Sequence, residues 1–195
     1  TNFNSVSSKT LQRLIILLAI SLVLMAIGRY SSFSEYFTLG FLTELIVKAG
    51  GFGILVFVLA YVVGTLMNIP GVLFLLILFM VYEPTESILI GYVGTLVAMI
   101  VHFYFTRALA GEALSEIKQP FIKKQMQKLT ARPIRTTVVL RLVLFVSPPV
   151  NYALALSSIK FRHFLLGSMI AMPVNLTFNY ALYIFARDWL VNRFL

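Results

Sequence analysis

An arginine inside an apolar run is the residue here best equipped for chemistry. Arg141 lies in TTVVLRLVLFVSPPVNYALALSSI (136–159), which Pro148, Pro149 and Asn151 then break. A guanidinium stays protonated under ordinary conditions, and its planar fork grips a phosphate with two hydrogen bonds. If the arm is helical, Arg141 sits about 9 Å deeper than Arg135. That depth leaves two readings open: an anchor snorkelling to the interface, or an arginine facing a cavity. The two prolines remove backbone donors and free carbonyls, and Asn151 can satisfy that backbone or donate to a ligand. Asn68, Pro70 and Gly71 supply the same kit in an earlier apolar run. Plain turn chemistry is the alternative at both places.

Other polar residues are fewer. Asn175 and Asn179, one helical turn apart beside Pro173, form a polar stripe that lines a path or bonds neighbouring helices. His102 is expected near the interface, with a proton-relay role as the second option. Glu83 and Glu86 sit at a hairpin mouth, where solvation is expected; with His102 they are the weak candidates for proton coupling. Neither histidine stands in a motif that would pair with a serine nucleophile. There is no Walker A motif, dinucleotide fingerprint or zinc spacing, and no cysteine. The expectation is a non-enzyme without cofactor or metal.

The elements that must position these residues are set by lipid. Of 195 residues, 59% are hydrophobic and only 12% charged, against roughly a quarter charged in a soluble domain. The formal charge of +9 therefore points to topology and anionic lipid rather than nucleic acid. No small-residue cleavage site follows the first apolar run, so no cleavable signal peptide is expected. Three runs suit spanning helices: 14–28, 88–106 and 164–186. Residues 51–84 are too long for one span and break at Asn68-Ile69-Pro70-Gly71; the second arm would reach only about 18 Å.

Charge sets the parity. Residues 107–135 hold seven basic and two acidic side chains and should be cytoplasmic, as should the N-terminus with Lys9 and Arg13. Residues 29–50 are charge-balanced and read as the outer side. The segments 51–84 and 136–159 must then each leave and return to one face, as re-entrant hairpins entering from opposite sides. The pattern of hairpin, span and basic end occurs twice: Pro70 lies 37 residues before Arg107, and Pro149 lies 38 before Arg187. Two such units of opposite orientation make the layout of inverted-repeat transporters, whose sites lie where broken helices meet. Non-helical backbone at membrane depth needs cover, so the two tips are expected to need each other, or a cavity. Two amphipathic helices complete the reading. One lies at 118–130, with Ile122, Met126 and Leu129 on one stripe and Lys123, Lys124 and Lys128 off it. The other is an outer helix over 32–48 carrying Phe33, Phe37, Phe41 and Leu45.

The fold expected is thus an all-α integral membrane protein: an inverted repeat of re-entrant hairpin plus transmembrane helix, with interfacial helices. Residues 1–50 form an N-terminal part, 51–187 the transport-like domain and 188–195 a tail. The run from Val138 through Leu182 resembles the signature region of the DedA superfamily, also called the VTT or SNARE-associated Golgi protein domain, nearest its Tvp-like branch. The matching residues are Arg141, Pro148-Pro149, Asn151-Tyr152, Phe164, Gly167 and Pro173; upstream, NIPG (68–71) and Gly91, Gly94 and Arg107 match the first half. The resemblance implies movement of phospholipids or undecaprenyl phosphate between leaflets, in a bacterial inner membrane, with Arg141 at the functional arginine. It departs where DedA proper has carboxylates: Gly71-Val72 and Gly94-Thr95 stand there instead.

The function expected is a flippase or scramblase for phosphate-bearing lipids. Arg141, Pro148, Pro149, Asn151, Tyr152, Asn68, Pro70, Gly71, Arg107, Asn175 and Asn179 are its candidate substrate-binding residues. The partners expected are membrane lipids, above all anionic ones, without nucleic acid; a homo-oligomer is compatible with the sequence. The rival readings are a scaffold that binds partners or anionic lipid through its basic segment, and a proton-coupled small-solute antiporter.

Overall fold

The computed structural model describes residues 7–30, 38–117, 120–145 and 147–194. These form helices without a strand: α1 (Ser8–Tyr30), α2 (Leu39–Lys48), α3 (Gly53–Leu66), α4 (Gly71–Val81), α5 (Pro84–Ala110), α6 (Pro120–Ala131), α7 (Pro133–Leu144), α8 (Pro148–Leu156) and α9 (Phe161–Phe194). A single 3-10 turn, Gly50–Phe52, joins α2 to α3. Prolines open four of them, α5 to α8, because their fixed φ suits a first helical turn whose N–H has no partner in any case.

Three helices carry segments long and apolar enough to cross a membrane: Ser8–Ala26, Pro84–Ala110 and Phe161–Arg187. The chain is an all-α integral membrane protein. The expected spans are all present but longer at their ends, and Pro173 sits inside α9. By contrast α3, α4, α7 and α8 have 14, 11, 12 and 9 residues. At about 1.5 Å per residue none reaches the roughly 30 Å of a hydrocarbon core.

The two halves repeat one order, two short helices around a break and then a long helix. In each, the first short helix lies along the long helix that follows: α3 on α5 and α7 on α9. Glycines permit the close approach. A Cβ on Gly94 would stand 2.8 Å from the ring of Phe57, and one on Gly167 would stand 2.6 Å from Cβ of Thr137. The second short helices differ: α8 reaches across onto α5, whereas α4 packs on α5 of its own half and also touches α9.

Three apolar clusters result. One joins α2, α3, α4 and the mid-part of α9 through Ile46, Phe57, Tyr61, Phe74 and Leu176. A second joins α5, α8 and α9 through Phe103, Leu154 and Phe164, with Leu129 of α6. The third docks α1 by Leu17 against Ala110, Ala113 and Leu156. Met126 and Leu129 thus tie the basic helix to the bundle, while Lys124 and Lys128 are exposed; the side chains of Ile122 and Lys123 lie outside the described residues. Of the expected outer helix only its later part, α2, falls within the described residues; Phe33 and Phe37 lie outside them.

Candidate functional site

The two breaks differ in how the backbone turns. After α3, Asn68 adopts φ +61°. Its N–H bonds the carbonyl of Thr65 at 3.2 Å, and that of Ile69 bonds Gly64 at 2.9 Å. This is a Schellman end, with asparagine in the left-handed position it tolerates best after glycine. Pro70, without an N–H, then starts the way into α4. After α7, Phe145 takes φ +54°, ψ −152°, a region that is essentially glycine's. The prolines expected to make this turn do not make it: Pro148 is the first residue of α8, and the reversal falls on Phe145 and its neighbours.

The breaks meet. A cavity of about 400 Å³ lies between them, with Pro70 and Gly71 on one side and Phe145, Ser147 and Pro148 on the other. Asn175 and Asn179 of α9 supply its polar wall. The rest of the lining, which includes Leu144, Phe178 and Leu182, is apolar. The exposed side chains of Phe178 and Leu182 give the cavity an edge toward the lipid-facing surface.

Arg141 lies behind this wall, with no exposed surface, so its guanidinium does not snorkel. Its Nη1 donates to Asn151 Oδ1 at 2.6 Å, and its Cζ stands 5.4 Å from the ring centroid of Phe164. Asn175 Nδ2 donates to the Arg141 carbonyl at 3.0 Å. Asn179 Nδ2 in turn donates to the carbonyl and Oδ1 of Asn175, at 2.7 and 2.9 Å. The asparagine pair therefore connects the cavity wall to the arginine's backbone. Arg141 Nε and Nη2 have no partner, and no carboxylate forms an ion pair with it among the described residues. A buried guanidinium carries a desolvation cost of several kcal/mol, and one hydrogen bond to an amide oxygen does not offset it.

Two residues the sequence reading passed over complete the site. Tyr61, fully buried on α3, stacks on Phe74 with centroids 4.9 Å apart. Its Oη accepts from Thr95 Oγ1 at 3.2 Å and lies 2.7 Å from where a Cβ on Gly71 would be. A tyrosine and a threonine interrupting apolar helices were the available signal. The third newcomer in position, though not in name, is His102. It is buried inside the bundle, where the ring of Tyr152 on α8 packs against it.

The remaining candidates are dispersed. Arg107 does not line the cavity. Its Nε donates to the carbonyl of Ala155 at 3.0 Å, and Nη2 to those of Ser157 and Ile159 at 2.6 and 2.8 Å. It thereby caps the end of α8, where a cation meets carbonyls left without helical partners. Tyr152 pairs its hydroxyl with that of Ser21 on α1 at 2.9 Å. Pro149 is exposed, and Asn68 is spent on capping. Glu83 and Glu86 are exposed at the start of α5, away from the arginine's partners. No cluster of metal-binding side chains occurs among the described residues.

The sequence model of the VTT domain matches residues 69–184. That is more than half of the 195 residues, and the chain belongs to the VTT-domain family. The matched interval runs from the first break through both asparagines of α9, so the cavity, Arg141 and Asn151 all fall inside it. No curated protein and no solved structure matches the chain.

Proposed function

We propose that this VTT-domain protein moves lipids with a phosphate head group between the leaflets of its membrane. The cavity between the two breaks would be the passage for the head group, and Arg141 its anion contact. One observation carries the reading: a fully buried guanidinium whose Nε and Nη2 lack a partner among the described residues. Buried donors are nearly always satisfied, and a phosphate is the group whose oxygens fit that fork. The arrangement is an occluded one, since Arg141 is fully buried and does not line the cavity, while Asn175, which does, bonds the Arg141 carbonyl. Parting of the two breaks would admit the head group while the acyl chains stay in lipid beside Phe178 and Leu182.

In this reading the helix pairs α3–α4 and α7–α8 are re-entrant hairpins from opposite faces, and residues 107–135 face the cytoplasm of a bacterial cell. Phospholipids and undecaprenyl phosphate are the substrate classes that the family resemblance favours. With Glu83 and Glu86 exposed and outside the site, facilitated exchange fits better than carboxylate-driven proton coupling. The protein acts without covalent chemistry.

The test is a leaflet-resolved assay on purified protein in vesicles carrying a labelled phospholipid. Arg141→Ala should abolish translocation while the protein still melts cooperatively. Full activity in that variant would remove the arginine from the mechanism. The scaffold reading makes the opposite forecast: Lys123, Lys124 and Lys128 changed to Gln would then matter, and Arg141 would not.

A further inference from the structure

Arg141 is not alone in holding unmet donors. His102 is 1% exposed, and its Nε2 also has no partner among the described residues. The two side chains share a neighbourhood built by consecutive residues of α8. Asn151 accepts from Arg141, while the ring of Tyr152 stands edge-on to His102 with centroids 4.7 Å apart. The same conclusion follows from the aromatic side. Phe164, beneath the guanidinium, packs at 4.6 Å on Phe103, the residue after His102. The other ring nitrogen is already engaged: Thr106 Oγ1 lies 3.3 Å from Nδ1. In the tautomer in which the Thr106 hydroxyl donates to Nδ1, the neutral ring carries its proton on Nε2, as a donor.

We propose that His102 is a second ligand contact, donating Nε2–H to the same phosphate group that Arg141 holds. The proposal rests on the transport reading above and extends it to a residue of the other half-repeat. Three unpaired nitrogens, two from α7 and one from α5, then converge on one tetrahedral oxyanion. The two non-bridging oxygens of a lipid phosphodiester carry lone pairs enough for all three donors. Bridging α5 and α7 in this way also makes binding sensitive to how the two halves are set against each other.

The experiment uses the full chain in phosphatidylcholine vesicles with a graded mole fraction of labelled phosphatidylglycerol. His102→Met keeps the bulk and loses the donor; His102→Gln keeps an N–H at about the same reach. The expected result is that His102→Met raises the half-saturating lipid fraction about ten-fold, and His102→Gln restores it to within about three-fold. Should His102→Met fail to melt cooperatively, His102→Phe takes its place. The proposal is overturned if the donor-free variant matches wild type, or if His102→Gln is as impaired as His102→Met. Arg141→Ala run in parallel separates the two levels. Lost transport there with an unaffected His102→Met overturns only the histidine contact; wild-type transport in Arg141→Ala overturns the reading beneath it as well.

Discussion

The two broken helix pairs have one architecture and opposite contents. In the first, α3 and α4 are sealed by packing: Tyr61 stacks on Phe74, Gly64 lies against the Phe74 ring, and Asn68 turns the chain in a satisfied Schellman end. In the second, α7 and α8 enclose a guanidinium with two unpaired nitrogens and turn through a phenylalanine in glycine's region of backbone space. One break is a finished wall and the other an unfinished site. Unmet polar groups and strained backbone persist where surrounding structure over-determines them, which is characteristic of ligand sites. The repeat thus divides its labour: one half supplies a surface to close against, and the other supplies charge.

The comparison is most severely tested by removing the wall. Phe74→Ala deletes the ring between Gly64 and Tyr61 and should cost about 3–5 kcal/mol; a thermal melt in detergent that shifts little would show that the first pair is not held by packing. The next effect concerns Asn151, the direct side-chain acceptor of the guanidinium. Asn151→Ala leaves the charge wholly unpaired and should destabilise by about 1.5–3 kcal/mol, readable in the same melt. An unchanged melting temperature would mean that other groups satisfy Arg141.

Phe145 sharpens the contrast in the other direction. Phe145→Gly relieves backbone strain of order 1–3 kcal/mol at the expense of apolar contact with Phe178, whose ring stacks on it with centroids 5.7 Å apart. The net should be a small gain in stability together with a change in transport rate, since the turn lines the cavity; a clear loss of stability would show that the turn is not strained. The smallest effect is expected from Arg132→Gln with Arg135→Gln. Both side chains are exposed, so stability should move by no more than about 0.5 kcal/mol and translocation of a neutral-headgroup lipid should be unaltered. A large loss would move the active surface to the basic segment.

Much of this was legible in the sequence, and for physical reasons. Apolar length against bilayer thickness marked the three spans and the segments too short to be spans. The need to cover irregular backbone predicted that the NIPG and SPP breaks would meet, and Pro70, Gly71, Ser147 and Pro148 line one cavity. What could not be read was which way side chains face. The helix GILVFVLAYVVGTL is apolar all round, so no periodicity shows that Tyr61 points inward. The burial of His102 depends on α8 crossing α5, a contact between residues about 50 positions apart. Arg107 and Arg141 looked alike as basic residues of apolar helices. Only tertiary structure shows that one caps carbonyls and the other has nothing to cap. The turn at Phe145 left no mark at all, since nothing about a phenylalanine announces a positive φ, and Pro148 and Pro149 pointed to a turn at least three residues further along.

The central claim is that Arg141 is retained for a ligand and not for the fold. Arg141→Met measures it most directly, because it replaces an under-satisfied buried charge with an apolar side chain of similar length. Such replacements are often neutral or stabilising, by about 1–4 kcal/mol. The account predicts a melting temperature equal to or above wild type together with loss of phosphate-lipid translocation in vesicles. A variant that unfolds, or one that is stable and still transports at the wild-type rate, would contradict it.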